Sequence, residues 1–139
     1  MPSEAADALE MYATRYGAER DAVDALADAF TYRRAAGDDA KAIATAQKLI
    51  NMFSFKRRND AAAAQVAIAD IYQRRGDKPA ALKSLRTYLT QFGSRGDAGK
   101  DITVQRNIGE LEWALSCPVA TVDGLCMQLS KAKAPMTCA

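Results

Sequence analysis

The chain has 139 residues, a formal net charge of +2 and no histidine. This length is typical of one domain, and the hydrophobic and charged fractions, 49% and 26%, are those of a soluble globular protein. Without histidine, the chain has no histidine-based acid–base or nucleophilic catalysis and no zinc site that uses imidazole. The small net charge argues against binding to nucleic acid. No apolar run approaches the roughly 18 residues that a membrane span requires.

The spacing of apolar residues predicts six helices and no sheet, because no segment alternates cleanly between apolar and polar residues. The predicted helices cover residues 3–16, 19–36, 39–53, 61–75, 78–92 and 99–116. Polar side chains are expected to cap their first turns, at Ser3, at Asp38 or Asp39, at Asn59 or Asp60, and at Asp77. Glycines with a left-handed backbone are expected to end three of them, at Gly17, Gly37 and Gly76.

The apolar stripes also predict which side chains face the core. They place Tyr16 inward at the end of the first helix and Ala27 and Phe30 inward in the second. In the sixth helix the stripe ends at Leu115. Residues 54–59 interrupt the pattern and are expected to form a polar connector.

The helices repeat with a period near 40 residues. Ala29, Ala69 and Gly109 are spaced 40 residues apart, and the pairs Gly37-Asp38 and Gly76-Asp77 are 39 apart. A period between 34 and 47 residues built from helix pairs is typical of an α-solenoid. The recurrent small residue is expected to let a partner helix approach closely.

The repeat around Gly76 resembles a tetratricopeptide repeat. Ala69 and Ala81 stand at its two small positions, Tyr72 at its aromatic position and Gly76-Asp77 at its turn. The resemblance implies an all-α, tetratricopeptide-like α-solenoid of about three helical hairpins, or about six helices, that ends in a short Cys-bridged loop.

The C-terminal part carries a more specific pattern. Ile108-Gly109-Glu110-Leu111 is followed by Trp113, by Ser116-Cys117-Pro118-Val119, and by Asp123-Gly124 with Cys126. This string resembles long tetratricopeptide-repeat proteins of myxobacteria that are associated with gliding motility in the cell envelope. The similarity extends over residues 12–129, and we expect one repeat domain at 1–129 followed by a flexible tail at 130–139.

Two readings of the cysteines stay open. A disulfide between Cys117 and Cys126 is favoured by the resemblance to an envelope protein, since disulfides persist in oxidising compartments. Alternatively, the two thiols are reduced and behave as small hydrophobic side chains. Their spacing fits neither structural zinc nor a redox-active Cys-x-x-Cys pair. Cys138 is expected to be a free thiol or to pair within a longer chain.

In tetratricopeptide arrays the first helix of each hairpin lines a concave groove that binds a partner segment. Transfer of those positions at the 40-residue period gives a predicted partner-binding groove formed by Phe30, Arg33, Val66, Asp70, Gln73, Arg74, Arg106, Glu110 and Trp113. Tryptophan is common at binding hot spots, but Trp113 could equally pack against the cysteine loop.

Charged clusters offer two weaker candidates. The basic run Lys56-Arg57-Arg58 could join Arg33, Arg34, Arg74 and Arg75 in a positive rim for an acidic segment, lipid headgroups or phosphate. The simpler interpretation is a solvated loop together with arginines that complement helix dipoles. Asp21, Asp24 and Asp28 share one helical face, which we expect to be a hydrated surface.

The helical repeats predict a non-catalytic scaffold that binds protein partners and requires no cofactor or metal. The resemblance implies that the scaffold belongs to an envelope motility or secretion assembly. Partners would be envelope or motility components, without nucleic acid, and further repeats of a longer chain could also contact it. The resemblance implies a periplasmic location, compatible with association to the outer membrane. Since Glu4, Asp7 and Glu10 are unlike a signal peptide, a cytoplasmic chain or an excised piece stays open. The alternatives are a structural spacer in a repeat array and a thiol-dependent redox protein that uses Cys117 and Cys126.

Overall fold

The computed structural model of the chain describes residues 1–93 and 98–116. These residues form six α-helices and no strand, as the periodicity predicts. The helices are α1 Pro2–Arg15, α2 Ala22–Ala35, α3 Asp39–Phe53, α4 Arg58–Arg74, α5 Lys78–Phe92 and α6 Ala98–Ser116. The predicted limits of α3 and α5 are confirmed at both ends, which places the predicted hairpin turns correctly.

The turns between α2 and α3 and between α4 and α5 share one design. Gly37 and Gly76 have positive φ angles of 76° and 77°, a conformation that glycine adopts without steric cost. The next residue then caps the following helix: Asp38 accepts from the Lys41 amide at 3.0 Å and Asp77 from the Ala80 amide at 3.1 Å. Both the glycine stops and the aspartate caps are therefore confirmed.

Two other predicted caps are wrong. Helix α1 begins at Pro2 with Met1 at the cap position, so Ser3 lies inside the first turn and its side chain forms no cap. Proline is favoured at the first helical position because its φ angle is already helical and the amide hydrogen that it lacks would be unpaired there. Helix α4 begins at Arg58, three residues before the predicted start, and no side chain caps it. The Asp60 carboxylate instead lies 2.9 Å from Nε of Arg57.

The left-handed stop predicted at Gly17 is also wrong, since among the described glycines only Gly37 and Gly76 have positive φ angles. Helix α1 ends through a hydrogen bond from the Tyr16 amide to the Tyr12 carbonyl oxygen. A Cβ atom at Gly17 would lie 3.0 Å from Cε of Met52 in α3. The Met52 side chain would have to shift slightly to admit a larger residue at position 17.

Each helix packs chiefly against the helices that precede and follow it in the chain. Alanine dominates these contacts, and ten alanines of α1 to α5 are fully or almost fully buried: Ala6, Ala13, Ala22, Ala25, Ala29, Ala42, Ala46, Ala61, Ala69 and Ala81. Alanine is the best helix former and its side chain is short, so neighbouring helices approach closely without a loss of helix propensity. Larger side chains such as Leu26, Ile71 and Leu85 fill the space between them.

The recurrent small residue serves a close helix contact at two of its three positions. Ala29 and Ala69 are buried, as expected. Gly109 is exposed, and a Cβ atom there would meet nothing within 4 Å. The expectation is therefore wrong for Gly109, because no described helix approaches α6 on that side.

Three side chains that the stripes place in the core are exposed. Tyr16 lies beyond the end of α1 and packs against the ring of Tyr12, with 5.2 Å between the centroids. Leu115 lies in a shallow groove between α5 and α6. Ala27 faces a cleft between α2 and α4.

One buried polar contact fixes the second hairpin. The Gln65 side chain in α4 is buried, and its Nε2 donates to the Ser84 carbonyl oxygen of α5 at 3.0 Å. The bond satisfies an amide that would otherwise be costly to bury. It therefore fixes the rotation of α4 against α5, and with it the face that α4 presents to the cleft.

Candidate functional site

A partly enclosed apolar depression lies between α2 and α4, the first helices of the two hairpins. The two helices flank the cleft, and Nη2 of Arg34 is 3.4 Å from Oδ2 of Asp70 across the gap. The cleft has a volume of about 230 Å³. Its lining comprises Ala27, Phe30 and Thr31 of α2, Ala46 and Leu49 of α3, and Asp60, Ala63, Ala64 and Ala67 of α4.

The lining explains why the cleft exists. The α4 wall carries alanine at 63, 64 and 67, whose methyl groups are too short to reach α2. Phe30 is the one large side chain of the α2 wall, and it is only half-buried. Because the floor is formed by buried Leu49 and Ala46 of α3, the cleft is apolar along its base.

Charged groups stand at the two ends of the cleft. At the end formed by the C-termini of α2 and α4, Asp70 pairs with both Arg34 and Arg74, the second pair at 3.1 Å. The Arg34 guanidinium also lies 5.5 Å from the centroid of the Phe30 ring, within the range of a cation–π contact.

Carboxylates lie toward the opposite end. Asp60 lines the cleft and pairs with Arg57. Asp24 and Asp28 are exposed on α2 within one helical turn of Ala27, and Asp24 also lines a separate depression that contains Arg57. Neither Asp24 nor Asp28 forms an ion pair with any residue that the structure describes. The cleft therefore has an apolar base and an arginine-rich end, and unpaired carboxylates lie near it on α2.

The dimensions suit a side chain. An engineered apolar cavity of about 150 Å³ binds benzene, so the larger cleft has room for one aromatic or large aliphatic group. A partner segment that inserted such a group would bring its neighbouring residues against the charged ends. Recognition of this kind combines an apolar anchor with polar contacts at the rim.

The predicted groove residues of α2 and α4 divide into those at the cleft and those away from it. Phe30 lines the cleft, and Asp70 and Arg74 stand at its arginine-rich end. Gln73 is exposed on α4 and is not among the lining residues. Val66 packs against the hydrophobic core.

Arg33 has a different place from the one that the periodicity predicts. Its side chain is 5% exposed, and its guanidinium donates to Asp7 and to Glu10 of α1. The hydrogen bonds that Arg33 donates to Asp7 and to Glu10 raise the pKa of Arg33, against the opposing effect of burial. Glu10 in turn accepts from the Thr45 hydroxyl of α3. Arg33 thus joins α1 to α2, and it does not present its charge to the cleft.

The α6 members of the predicted groove lie apart from the cleft. Arg106 and Glu110 are exposed and form an ion pair with each other, at 3.7 Å. Trp113 is half-buried on the same helix. None of these three residues lines the cleft between α2 and α4.

The basic run is mostly occupied by contacts within the chain. Arg57 pairs with Asp60. Arg58 lies over the Phe92 ring, 5.3 Å from its centroid, and donates to the Gln91 carbonyl oxygen. Lys56 is exposed and forms no ion pair with a described residue. The interpretation of the run as a wholly solvated loop is therefore wrong for Arg58, which holds α4 to α5.

The aspartates of α2 are on the surface, as expected. Asp21 accepts a hydrogen bond from the Tyr12 hydroxyl at 2.7 Å. This bond, with a smaller effect of burial and of the Asp21 charge, raises the pKa of Tyr12. Asp21 is thus tied to the packing of α1 on α2.

The predicted disulfide falls outside the described residues, since Cys117, Cys126 and Cys138 all follow Ser116. Within the described ranges, no three carboxylate or thiol side chains are grouped as a metal site would require. The helices described are also too short or too polar to cross a membrane.

Sequence reasoning missed the alanines of the cleft. The apolar stripes place Ala27 and Ala64 in the core, and no pattern assigns Ala63 or Ala67 to a groove. A signal was present: residues 61–64 are four alanines in succession, so this turn of α4 carries no polar side chain. A helix whose outer face is alanine instead of a charged residue indicates a surface that another chain can approach.

Comparisons with family models, with curated proteins and with solved structures find no match to this chain.

Proposed function

We propose that the chain is a non-catalytic protein–protein interaction scaffold, a tetratricopeptide-like α-solenoid that binds partner segments in the cleft between α2 and α4. The observation that carries the proposal is the cleft itself: an apolar depression of about 230 Å³ between the first helices of successive hairpins. In solenoid proteins, partner segments bind on the concave surface that successive repeats form together.

The mechanism is geometric. Close alanine contacts and the Gln65 bond hold the hairpins rigidly, so the cleft exists before a partner arrives. A preformed site avoids the ordering cost that flexible surfaces incur on binding. The apolar base binds an anchoring side chain of the partner segment. The charged rim, with Asp70 and Arg74 at one end, favours segments whose residues next to that anchor have complementary charges.

A peptide library displayed on phage and selected against the full chain tests the proposal. The decisive variant is Ala27→Phe, which fills the cleft from its exposed rim. The matched control is Ala8→Phe, the same change at an exposed alanine of α1. We expect selected peptides to share one large apolar residue, to bind the control as tightly as the unmodified chain, and to bind Ala27→Phe at least about tenfold more weakly.

Equal binding to both variants, with circular dichroism spectra unchanged, would contradict this use of the cleft. Selection of no peptide at all would contradict the scaffold function.

The resemblance of the C-terminal string supports a narrower proposal: an envelope motility or secretion assembly, a periplasmic location, and a Cys117–Cys126 disulfide. Alkylation of the denatured chain without reductant, followed by digestion and mass spectrometry, tests the cysteine pairing. A Cys117–Cys126 linkage with Cys138 alkylated would support an exported module. Three alkylated cysteines after oxidising preparation would remove the argument for the envelope.

A second candidate function is a spacer within a longer repeat array, and two exposed surfaces favour it. Met11 on the outer side of α1 is 69% exposed. Leu115 and Leu82 line an open groove between α5 and α6. Neighbouring repeats would cover both surfaces, and a pure spacer would select no peptide in the library experiment.

A further inference from the structure

Phe55 is the most exposed large hydrophobic residue among those described. It stands in the turn between α3 and α4, and its relative exposure is 97%. A phenylalanine held wholly in water gains free energy when any apolar surface covers it. Since a single exposed apolar residue can be incidental, its neighbours and a complementary site decide whether it has a role.

The neighbours of Phe55 give the turn a positive charge. Lys56 is exposed and forms no ion pair with a described residue, whereas Arg57 pairs with Asp60 and Arg58 packs on Phe92. The turn therefore presents one aromatic side chain followed by one unpaired cation. A single unpaired cation is too little for stable adhesion to an anionic membrane, which typically uses clusters of basic residues.

The cleft between α2 and α4 has the complementary properties. Its apolar base has room for one aromatic ring, since its volume of about 230 Å³ exceeds that of a cavity that holds benzene. Asp24 and Asp28 are exposed on α2 within one helical turn of the cleft residue Ala27, and neither forms an ion pair with a described residue. The protruding Phe55 and its neighbour Lys56 are thus complementary to the apolar cleft and to the nearby aspartates of α2.

We propose that the partner segment of this cleft is the α3–α4 turn of a second copy of the chain, with Phe55 inserted between α2 and α4 and Lys56 facing Asp24 and Asp28. The proposal rests on the proposed use of the cleft and deepens it. Two different surfaces of the chain would meet, so the contact closes into a ring or pair, or extends into a filament.

Sedimentation velocity of the full chain, from micromolar to millimolar concentration and with reductant present, measures the association. We expect reversible self-association that Phe55→Ala weakens by about tenfold or more, as for a central aromatic anchor. Because Phe55 is almost fully exposed, its loss leaves the fold intact. Ile102→Ala is the matched control, since Ile102 is 68% exposed on α6, away from the cleft.

A mixing experiment tests the complementarity directly. Phe55→Ala retains an open cleft, and Ala27→Phe retains Phe55 but fills the cleft. We expect each variant alone to be monomeric and an equimolar mixture to form a one-to-one pair. We further expect Lys56→Glu to weaken association, and a mixture of Lys56→Glu with Asp24→Lys to recover part of it.

Three results would overturn the proposal: a monomeric unmodified chain over the whole range, association that survives Phe55→Ala, or a mixture that forms no pair. Phe55-dependent sedimentation with phosphatidylserine vesicles, without self-association, would also overturn it and would assign Phe55 to a lipid surface. A monomeric chain whose cleft still binds selected peptides would overturn only this proposal and would leave the proposed function standing.

Discussion

Arg34 and Asp70 join α2 to α4 through an ion pair with 3.4 Å between Nη2 and Oδ2. Arg34 also covers the edge of the cleft at Phe30, and Asp70 holds Arg74 beside it. All three charged side chains are partly exposed, so their pairing contributes little to stability. Because they lie at one end of an apolar cleft, these side chains are suited to discriminate between bound segments of different charge.

The neighbouring arginine, Arg33, acts on stability. We expect Arg33→Met to lower the free energy of unfolding by about 1–3 kcal/mol, since it removes the partly buried hydrogen bonds from Arg33 to Asp7 and Glu10. Asp7 is exposed and can be hydrated in the variant, which limits the loss. Urea denaturation followed by circular dichroism measures the change.

Arg34→Met is the matched control, because it removes a partly exposed ion pair from the adjacent position. It should change the free energy of unfolding by less than about 1 kcal/mol. Equal effects of the two substitutions would contradict the structural role assigned to Arg33.

Three glycines should respond differently to alanine. Gly37→Ala and Gly76→Ala should each destabilise the chain by about 1–2 kcal/mol, since alanine is strained at the positive φ angles of these turns. Gly109→Ala should stabilise it by up to about 1 kcal/mol, because Gly109 is exposed within α6 and a Cβ atom there meets nothing. Thermal and urea denaturation measure all three.

A loss of stability in Gly109→Ala would show that another part of the chain approaches α6 at this position. It would also restore the close-contact role that the 40-residue repeat predicts for Gly109.

The hydroxyl of Tyr12 should titrate above its ordinary pKa of about 10, because its hydrogen bond to Asp21 favours the neutral phenol. The folded state therefore holds this proton more tightly than the unfolded state. Its stabilising contribution is complete below pH 10 and is lost as the pH rises through the folded pKa. The ¹³Cζ shift of Tyr12 in NMR spectra follows the titration.

Asp21→Ala, which removes the acceptor, should lower the Tyr12 pKa toward its ordinary value, and Asp24→Ala should leave it unchanged. An unaltered titration in Asp21→Ala would mean that the hydrogen bond is not the cause of the shift.

The sequence predicts the helices well because their signals are local. Apolar spacing and the Gly-Asp pairs at 37–38 and 76–77 act within a few residues, and the structure confirms the turns that they predict. Predictions that depend on neighbouring helices are less secure. Ala27 and Arg33 both follow the α2 pattern, yet Ala27 is exposed at the cleft and Arg33 is buried against α1.

The two errors have one physical origin. The apolar stripe of a helix indicates which side of the helix faces the core on average. It does not show where α1 and α4 contact α2. An arginine is buried where two carboxylates of α1 meet it, and an alanine is exposed where its neighbours on α4 are also alanines. Neither condition can be read from α2 alone.

Alanine methyl NMR of the full chain tests most directly whether the cleft between α2 and α4 is the binding surface. Its lining includes five alanine methyl groups, so binding of a segment would change methyl chemical shifts on both walls of the cleft. On titration with a selected peptide, we expect the largest shift changes at Ala27, Ala63, Ala64 and Ala67, with Ala8 unchanged. Shift changes confined to alanines outside the cleft, such as Ala8 or Ala114, would contradict the account.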